Sequence, residues 1–366
     1  MRDIGVYIHI PFCKRKCNYC DFCSFAGKES DFRAYTDELC RRIKDFAKAE
    51  KRCVGTVYFG GGTPTLLPVD CFDTIFKTLR EGFLIDSDAE ITVECNPATV
   101  DENYLRALRD MGVNRLSIGL QSANEKELEL LGRLHSFEDF CISFDCARRA
   151  GFDNISVDLM YGIPEQTPES FERTLRKTLE LDPEHISAYG LKIEDGTPFG
   201  AMRDLLVLPN EDEEFMMYTT CRQMLEERGY GRYEISNFAK AGRESRHNLR
   251  YWELDDYIGF GVAAHSCVDG VRFGNSRDIS AFLRGDDIVE EKTVISDSER
   301  AYERIMLGLR LQNGISIEEY CSYASDGANR IKRFVDAEYL KQSNGRISFT
   351  DKGFFVSNAI LRELLK

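Results

Sequence analysis

The chain is 366 residues long and 43% hydrophobic, enough for a sizeable core and for two or three domains. Its formal net charge of −14 argues against nonspecific attraction to nucleic acid or to an anionic membrane surface. It has thirteen cysteines, no apolar run long enough to span a membrane and no basic-plus-apolar leader before Ile4; this points to a reducing compartment, and a cytoplasmic location is expected.

The first predicted element is a strand at residues 6–10, Val6-Tyr7-Ile8-His9-Ile10. Directly after it Cys13, Cys17, Cys20 and Cys23 fall within eleven residues. Thiols crowded in this way, in a chain without an export signal, are rarely a disulfide framework, which leaves a structural zinc, an iron–sulfur cluster or inert thiols. Zinc sites usually draw on two separated pairs of ligands, and no second close-set pair follows. Two registers compete, Cys13-x3-Cys17-x2-Cys20 and Cys17-x2-Cys20-x2-Cys23. The latter begins like a ferredoxin run, which would need a cysteine and a proline where Gly27 and Lys28 stand. The first register is therefore retained, and Cys23 reads as a packed or loosely exposed thiol. Three thiolates on a four-iron cluster leave one iron free to bind and activate a ligand.

Further strands are predicted at 56–59, 91–94, 115–118, 155–160 and 186–189, with helices at 32–46, 71–79, 104–111, 137–150 and 171–181 between them. This alternation implies an α/β fold with a parallel sheet, open or curled into a partial barrel. In such folds ligands sit at the carboxyl ends of the strands. Those ends carry the cysteine loop, Gly60-Gly61-Gly62-Thr63-Pro64-Thr65, Glu94-Cys95-Asn96-Pro97, Gly119-Leu120-Gln121-Ser122 and Tyr189-Gly190-Leu191. Asp158, inside an apolar strand end, is expensive to bury without hydrogen bonds and is a site candidate.

The C-x3-C-x2-C run with Tyr19 before its last cysteine resembles the radical S-adenosylmethionine (SAM) superfamily. That resemblance implies a [4Fe-4S] cluster on Cys13, Cys17 and Cys20, with SAM chelating the open iron and the cofactor supplying radical chemistry. Gly61-Gly62-Thr63-Pro64-Thr65, Glu94 with Asn96-Pro97, Arg115-x-Ser117-x-Gly119-x-Gln121, Arg133 and Asp158 look like the oxygen-independent coproporphyrinogen III oxidase family over most of residues 4–275. For SAM this implies a cradle from Gly61, Gly62 and Thr63, an aromatic contact from Tyr19 and a guanidinium from Arg133 for the carboxylate. It also implies Glu94 accepting from amino or ribose groups, Gln121 and Asp158 accepting from ribose hydroxyls, and Tyr7 approaching the cluster. The bland alternatives are an ion pair between Glu94 and Arg133 and a simple tight turn at residues 60–62.

Catalytic members of that family carry a further cysteine where this chain has Phe22. Cys20-Asp21-Phe22 and His247-Asn248-Leu249-Arg250-Tyr251-Trp252 instead look like the HemW-type branch of haem chaperones, although Cys23 departs from that branch's usual polar or aromatic residue. The resemblance implies haem binding near His247, with His265 and Cys267 as further candidate ligands. It also implies delivery to acceptor haemoproteins without substrate turnover, and it is compatible with a homodimer and with peripheral membrane association. The alternative is oxidative decarboxylation of coproporphyrinogen III. Gly259-Phe260-Gly261-x-x-Ala264 imitates a dinucleotide fingerprint but lacks the strand–turn–helix context, so close backbone packing is the expected reason for its glycines.

A helix at 211–228 links the barrel to the His-Asn segment, and Gly285-Asp286-Asp287 opens a polar break. Residues 1–285 are thus expected to form the radical SAM core with its extension, and 286–366 a C-terminal domain. In that domain helices at 300–311, 317–323 and 328–341 precede a β-ribbon at 345–353, an order that resembles a winged helix. The fold expected is a radical SAM partial (β/α)6 barrel with a smaller C-terminal winged-helix-like α+β domain. From residue 301 onward ten Lys or Arg face eight Asp or Glu with no basic stripe, so packing or partner docking is expected there rather than nucleic-acid binding.

Overall fold

Side chains alternate between apolar and polar along six parallel strands, and the pleat sends the two sets to opposite faces. In the computed structural model, which describes residues 3–49 and 51–366, these are β1 (Ile4–Ile10), β2 (Cys53–Gly61), β3 (Leu84–Cys95), β4 (Arg115–Gln121), β5 (Ile155–Tyr161) and β6 (His185–Gly190). They are neighbours in sequence order, all parallel. One set of side chains, including Val6, Val57, Phe59, Val93, Ile118 and Val157, joins Ile43, Phe72, Phe76, Phe140 and Phe171 of the connecting helices in a single buried core. The other set, Tyr7, His9, Thr56, Tyr58, Glu90, Thr92, Glu94, Arg115, Ser117, Asp158, His185 and Tyr189, makes the inner wall an almost wholly polar column. That contrast explains why the interior, filled by branched apolar residues in closed barrels, here carries a site.

The helices start where local chemistry satisfies their first amides. Asp101 accepts from the Tyr104 amide, Ser136 and Asp139 form a capping box, and Thr167 caps a helix with Pro168 at its first position. The barrel does not close. Beyond β1 the sheet continues with Tyr257–Phe260, a seventh parallel strand, and then antiparallel with His265–Val268, Val271–Asn275 and Val289–Val294; beyond β6 it continues with Asn237–Ala239. The glycines before Ala264 are there for close packing, as expected. A Cβ on Gly261 would lie 2.7 Å from the His9 carbonyl oxygen, and one on Gly259 would lie 2.3 Å from that of His265.

Two sequence expectations shift. Val289–Val294 pairs with Val271–Asn275, so the break expected at residues 285–287 lies inside the large sheet and the smaller unit begins after Val294. The helix expected over 328–341 ends at Asp336, because Glu338 adopts a positive φ of 61° and Leu340 opens a strand. The smaller unit stacks Asp297–Gly308, Ile317–Tyr323 and Gly327–Asp336 against the hairpin of Leu340–Ser343 and Arg346–Phe349, turned at Asn344-Gly345 with both φ positive. It has its own core around Ile305, Tyr320, Ile331, Ile347 and Phe349. Arg232 joins the two units, lying over the Phe354 ring at 4.0 Å and pairing with Asp351 at 3.0 Å.

Candidate functional site

The carboxyl ends of the six strands open into a cavity of 380 Å³, a size common among small-molecule sites. Cys13, Cys17, Cys20, Tyr19, Gly61, Gly62, Thr63, Glu94, Gln121, Arg133 and Asp158 all line it. Tyr7 and His247 do not.

The cysteine loop is clamped at its base and along its side. Phe25 donates its amide to the Pro11 carbonyl at 2.7 Å, and the Asn18 amide and side chain bond to the carbonyls of Leu131 and Leu130 at 3.0 and 2.8 Å. The helix Glu125–Leu131 ends at Gly132, whose φ of 76° suits a residue without Cβ, and that turn delivers Arg133 to the cavity. Arg133 Nη2 donates to Asn96 Oδ1 at 2.8 Å and to the Gly119 carbonyl at 2.6 Å, while Nη1 reaches Cys17 Sγ at 3.7 Å. Asn96 Nδ2 donates to Thr63 Oγ1 at 2.7 Å, and Thr63 Oγ1 donates toward Cys13 Sγ at 3.8 Å. A chain of hydrogen bonds thus runs from one candidate ligand to another through Thr63, Asn96 and Arg133. Asn96 is central to this chain, a role that its place at a strand end beside Glu94 does not reveal. Cys23 is a packed thiol, 8% exposed, with Sγ directed at the Arg277 carbonyl at 3.8 Å.

Two carboxylates form the cavity floor. Glu94 accepts from Tyr58 Oη at 2.9 Å and from the Gly61 amide at 3.2 Å, and it makes no ion pair with Arg133 among the described residues. Burial, and then the charge of Asp158, push the Glu94 carboxyl up to about 7. Asp158 accepts from Ser117 Oγ at 3.2 Å and is pushed up to about 6, chiefly by burial. Arg115 lies beneath both. It is 2% exposed, its Nε has no hydrogen-bond partner among the described residues, and its charge opposes the rise of both carboxyls. Gln121 holds a positive φ of 69° at a register shift in β4, strain of about 1–3 kcal/mol that aims its amide inward to accept from Tyr189 Oη at 2.9 Å.

Two expectations need correction. Tyr7 does not reach the cavity; it lies one layer deeper, against Tyr58 at 6.2 Å, with Oη 3.0 Å from His9 Nδ1. His247 is not a free haem ligand. It is 1% exposed, with Nδ1 2.8 Å from Thr56 Oγ1 and Nε2 2.8 Å from Tyr251 Oη. Its place follows from its helix, Arg246–Glu253, whose first two amides both bond to the Glu90 carboxylate at 2.9 Å and so plug the lower end of the barrel. Burial, then Arg250 and Arg115, lower its pKa to about 3, so the ring is neutral. His9, His135 and His185 are buried as well, which leaves His265 as the exposed imidazole of the five.

The donor set fits an iron cluster with a zwitterionic ligand beside it. A Cβ on Gly62 would meet the Phe12 carbonyl oxygen at 2.6 Å and Cys13 Sγ at 3.0 Å, so glycine keeps the space next to that sulfur open. Burial raises the Cys13 and Cys20 thiols, so these groups release protons when they bind metal. Among the charged groups that line the cavity, the buried Glu94 and Asp158 carboxyls and the buried Arg133 guanidinium complement a ligand with an amino group, hydroxyls and a carboxylate.

Comparison with known proteins gives a consistent picture. The model of the Radical SAM superfamily matches residues 7–178, and that of the HemN C-terminal domain matches residues 295–356. The heme chaperone HemW of Lactococcus lactis is 33% identical over 99% of this chain and 97% of its own, and that of Escherichia coli is 35% identical over 99% and 98%. The bovine mitochondrial radical S-adenosyl methionine domain-containing protein 1 is 33% identical over 99% of this chain and 87% of its own. Among solved structures, the coproporphyrinogen III oxidase HemN of Escherichia coli superimposes with a TM-score of 0.88 at 25% identity, covering 99% of this chain and 90% of that one. The α/β architecture, a radical SAM domain followed by a smaller C-terminal one, is the architecture of that structure.

Proposed function

We propose, from the premise that the chain belongs to the heme chaperone HemW family within the radical SAM superfamily, that it binds a [4Fe-4S] cluster and SAM and carries haem to acceptor haemoproteins. In this reading Cys13, Cys17 and Cys20 would hold the cluster, and Gly61, Gly62, Thr63 and Tyr19 would contact SAM. The cluster and SAM, when bound, supply one-electron chemistry. Glu94 receives the amino group, Gln121 and Asp158 the ribose hydroxyls, and the free edge of Arg133 the carboxylate. The observation that carries this half of the proposal is the hydrogen-bonded chain Cys13, Thr63, Asn96, Arg133, Cys17, which ties sulfurs and guanidinium into one frame.

The haem half rests on family membership and on exposure. Because the other four histidines are buried, His265 is the imidazole available to a haem held at the surface. A cytoplasmic location and a homodimer belong to the same reading. The overall architecture does not separate carrier from oxidase, since the HemN oxidase shares it. Phe22, 70% exposed where the oxidase has a further cysteine, favours the carrier.

The test combines haem titration of the anaerobically reconstituted protein with product analysis in the presence of coproporphyrinogen III, SAM and a reductant. The expected result is stoichiometric haem uptake, weakened by His265→Ala, and no decarboxylated porphyrin. Many turnovers of decarboxylation would replace the carrier with the oxidase.

A further inference from the structure

His247 belongs to the His-Asn-x-x-Tyr-Trp segment, yet its surroundings tie it to the cavity at the other end of the barrel. Its ring stacks on Tyr58, with centroids 5.1 Å apart and planes 25° from parallel. Tyr251 meets the same imidazole edge-on at 5.2 Å, and Tyr7 flanks both, 6.2 Å from Tyr58 and 6.5 Å from His247. Hydrogen bonds to Thr56 and Tyr251 hold both ring nitrogens, so the imidazole cannot rotate without leaving a buried polar atom unpaired. Thr56 is itself fixed by Arg250 Nε at 3.1 Å. The supported ring, Tyr58, sends its hydroxyl 2.9 Å to the Glu94 carboxylate on the cavity floor.

We infer that His247 is a positioning residue for the cofactor pocket, acting through Tyr58 to set the orientation of Glu94. This rests on the reading of the cavity as a SAM site. The physical basis is the absence of slack. Tyr58 lies on β2 with Glu94 diagonally across on β3, where the partner of Tyr58 is Thr92. The Tyr58 ring, stacked on Tyr7 at 6.2 Å, is kept from swinging by a second face. On its lower side that face is the imidazole, which the helix Arg246–Glu253 presents because Glu90 fixes the helix start. Offset aromatic contacts of this kind orient rings as well as attract them. A carboxylate that receives one side-chain hydrogen bond and one amide bond is fixed in its plane, and loss of the side-chain donor leaves it to turn about the other.

The test is SAM binding by equilibrium dialysis to the full chain with its cluster reconstituted anaerobically, iron content and melting temperature being recorded for each variant. Tyr58→Phe is expected to weaken SAM binding roughly tenfold, the loss of one hydrogen bond to a charged group. His247→Ala is expected to weaken it to a similar degree with iron content unchanged. The double variant should lose no more than either single one, because both act on the same bond. His247→Phe, which restores the ring face, should recover most of the affinity. Should His247→Ala fail to fold, His247→Gln serves instead, since its amide still reaches polar partners but offers no ring to Tyr58; the same loss is expected. The inference falls if the His247 variants melt lower yet bind SAM as the unaltered protein does, or if the losses of the two single variants multiply in the double. Failure of the unaltered protein to bind SAM would instead overturn the reading of the cavity itself.

Discussion

SAM binding should depend on pH through Glu94. Its carboxyl titrates near 7 because burial disfavours the charge, with the Asp158 carboxylate adding to the rise and Tyr58, the Gly61 amide and Arg115 opposing it. Tyr7 and Tyr251 also face it, and both phenols are raised, so they remain neutral in this range. Between pH 8 and pH 6 the ionised fraction falls from about nine-tenths to about one-tenth. If only the carboxylate accepts from the ligand's amino group, the apparent dissociation constant rises roughly tenfold over that interval. His9, His135 and His247, lowered to about 4, 4 and 3, stay neutral throughout and do not contribute. Asp158, near 6, steepens the loss only at the acid end. Glu94→Gln removes the titration and should bind weakly with little pH dependence above pH 7. The stability effect of this group without ligand has the opposite sign. The folded pKa of Glu94 lies above its unfolded value, so its contribution to stability is present in full below the unfolded pKa and is lost as pH rises through 7. Glu94→Gln should therefore resist heat better than the unaltered protein at pH 8. The assay is equilibrium dialysis at half-unit pH steps, with melting curves of the ligand-free protein in parallel. A flat affinity between pH 6 and 8, or the same slope in Glu94→Gln, would refute the reasoning.

Other consequences follow from the packing. Gly62→Ala should cut bound iron sharply while the fold survives, because its Cβ would press on the Phe12 carbonyl and the Cys13 sulfur; full iron occupancy would show that the loop has room to spare. Phe59→Ala should cost about 3–5 kcal/mol in denaturant unfolding, since that wholly buried ring lies 5.2 Å from both Phe72 and Phe76. Asn96→Ala should weaken SAM binding and loosen cluster retention together, because Thr63 and Arg133 meet on that one amide; a change in neither would remove it from the frame.

Much of this architecture can be read from residues because the relevant signals are local. The outward faces of β1 to β6 carry Val, Ile, Leu and Phe in alternation, and each strand except β3 appears within a few residues of its expected place. The first half of β3, Leu84–Cys95, escapes notice because Asp86, Ser87 and Asp88 break the apolar signal. Tyr257–Phe260 escapes because Gly259 and Gly261 read as turn or packing glycines, whereas Gly259 lets the backbone approach His265 on the following strand and Gly261 lets it approach His9 on β1. The cavity residues are legible because they cluster at strand ends, where a polar residue following an apolar run is conspicuous. Tyr7 and His247 are misplaced for a single reason. Depth inside a barrel is a property of the assembled sheet, and only the docking of helix Arg246–Glu253 on Glu90 turns a histidine in an aromatic, basic segment into a core strut. Asn96 shows the same limit, since its side chain finds its partners in Thr63 and Arg133, both distant in the chain.

The most direct test of the account is metal analysis of oxygen-protected protein, with electron paramagnetic resonance of the reduced sample before and after adding SAM. The account predicts about four irons and four sulfides per chain, lost in Cys17→Ser, retained in Cys23→Ser, and a spectrum that changes when SAM is added. Zinc or no metal in the unaltered protein, or equal loss of iron in the Cys17 and Cys23 variants, would contradict it.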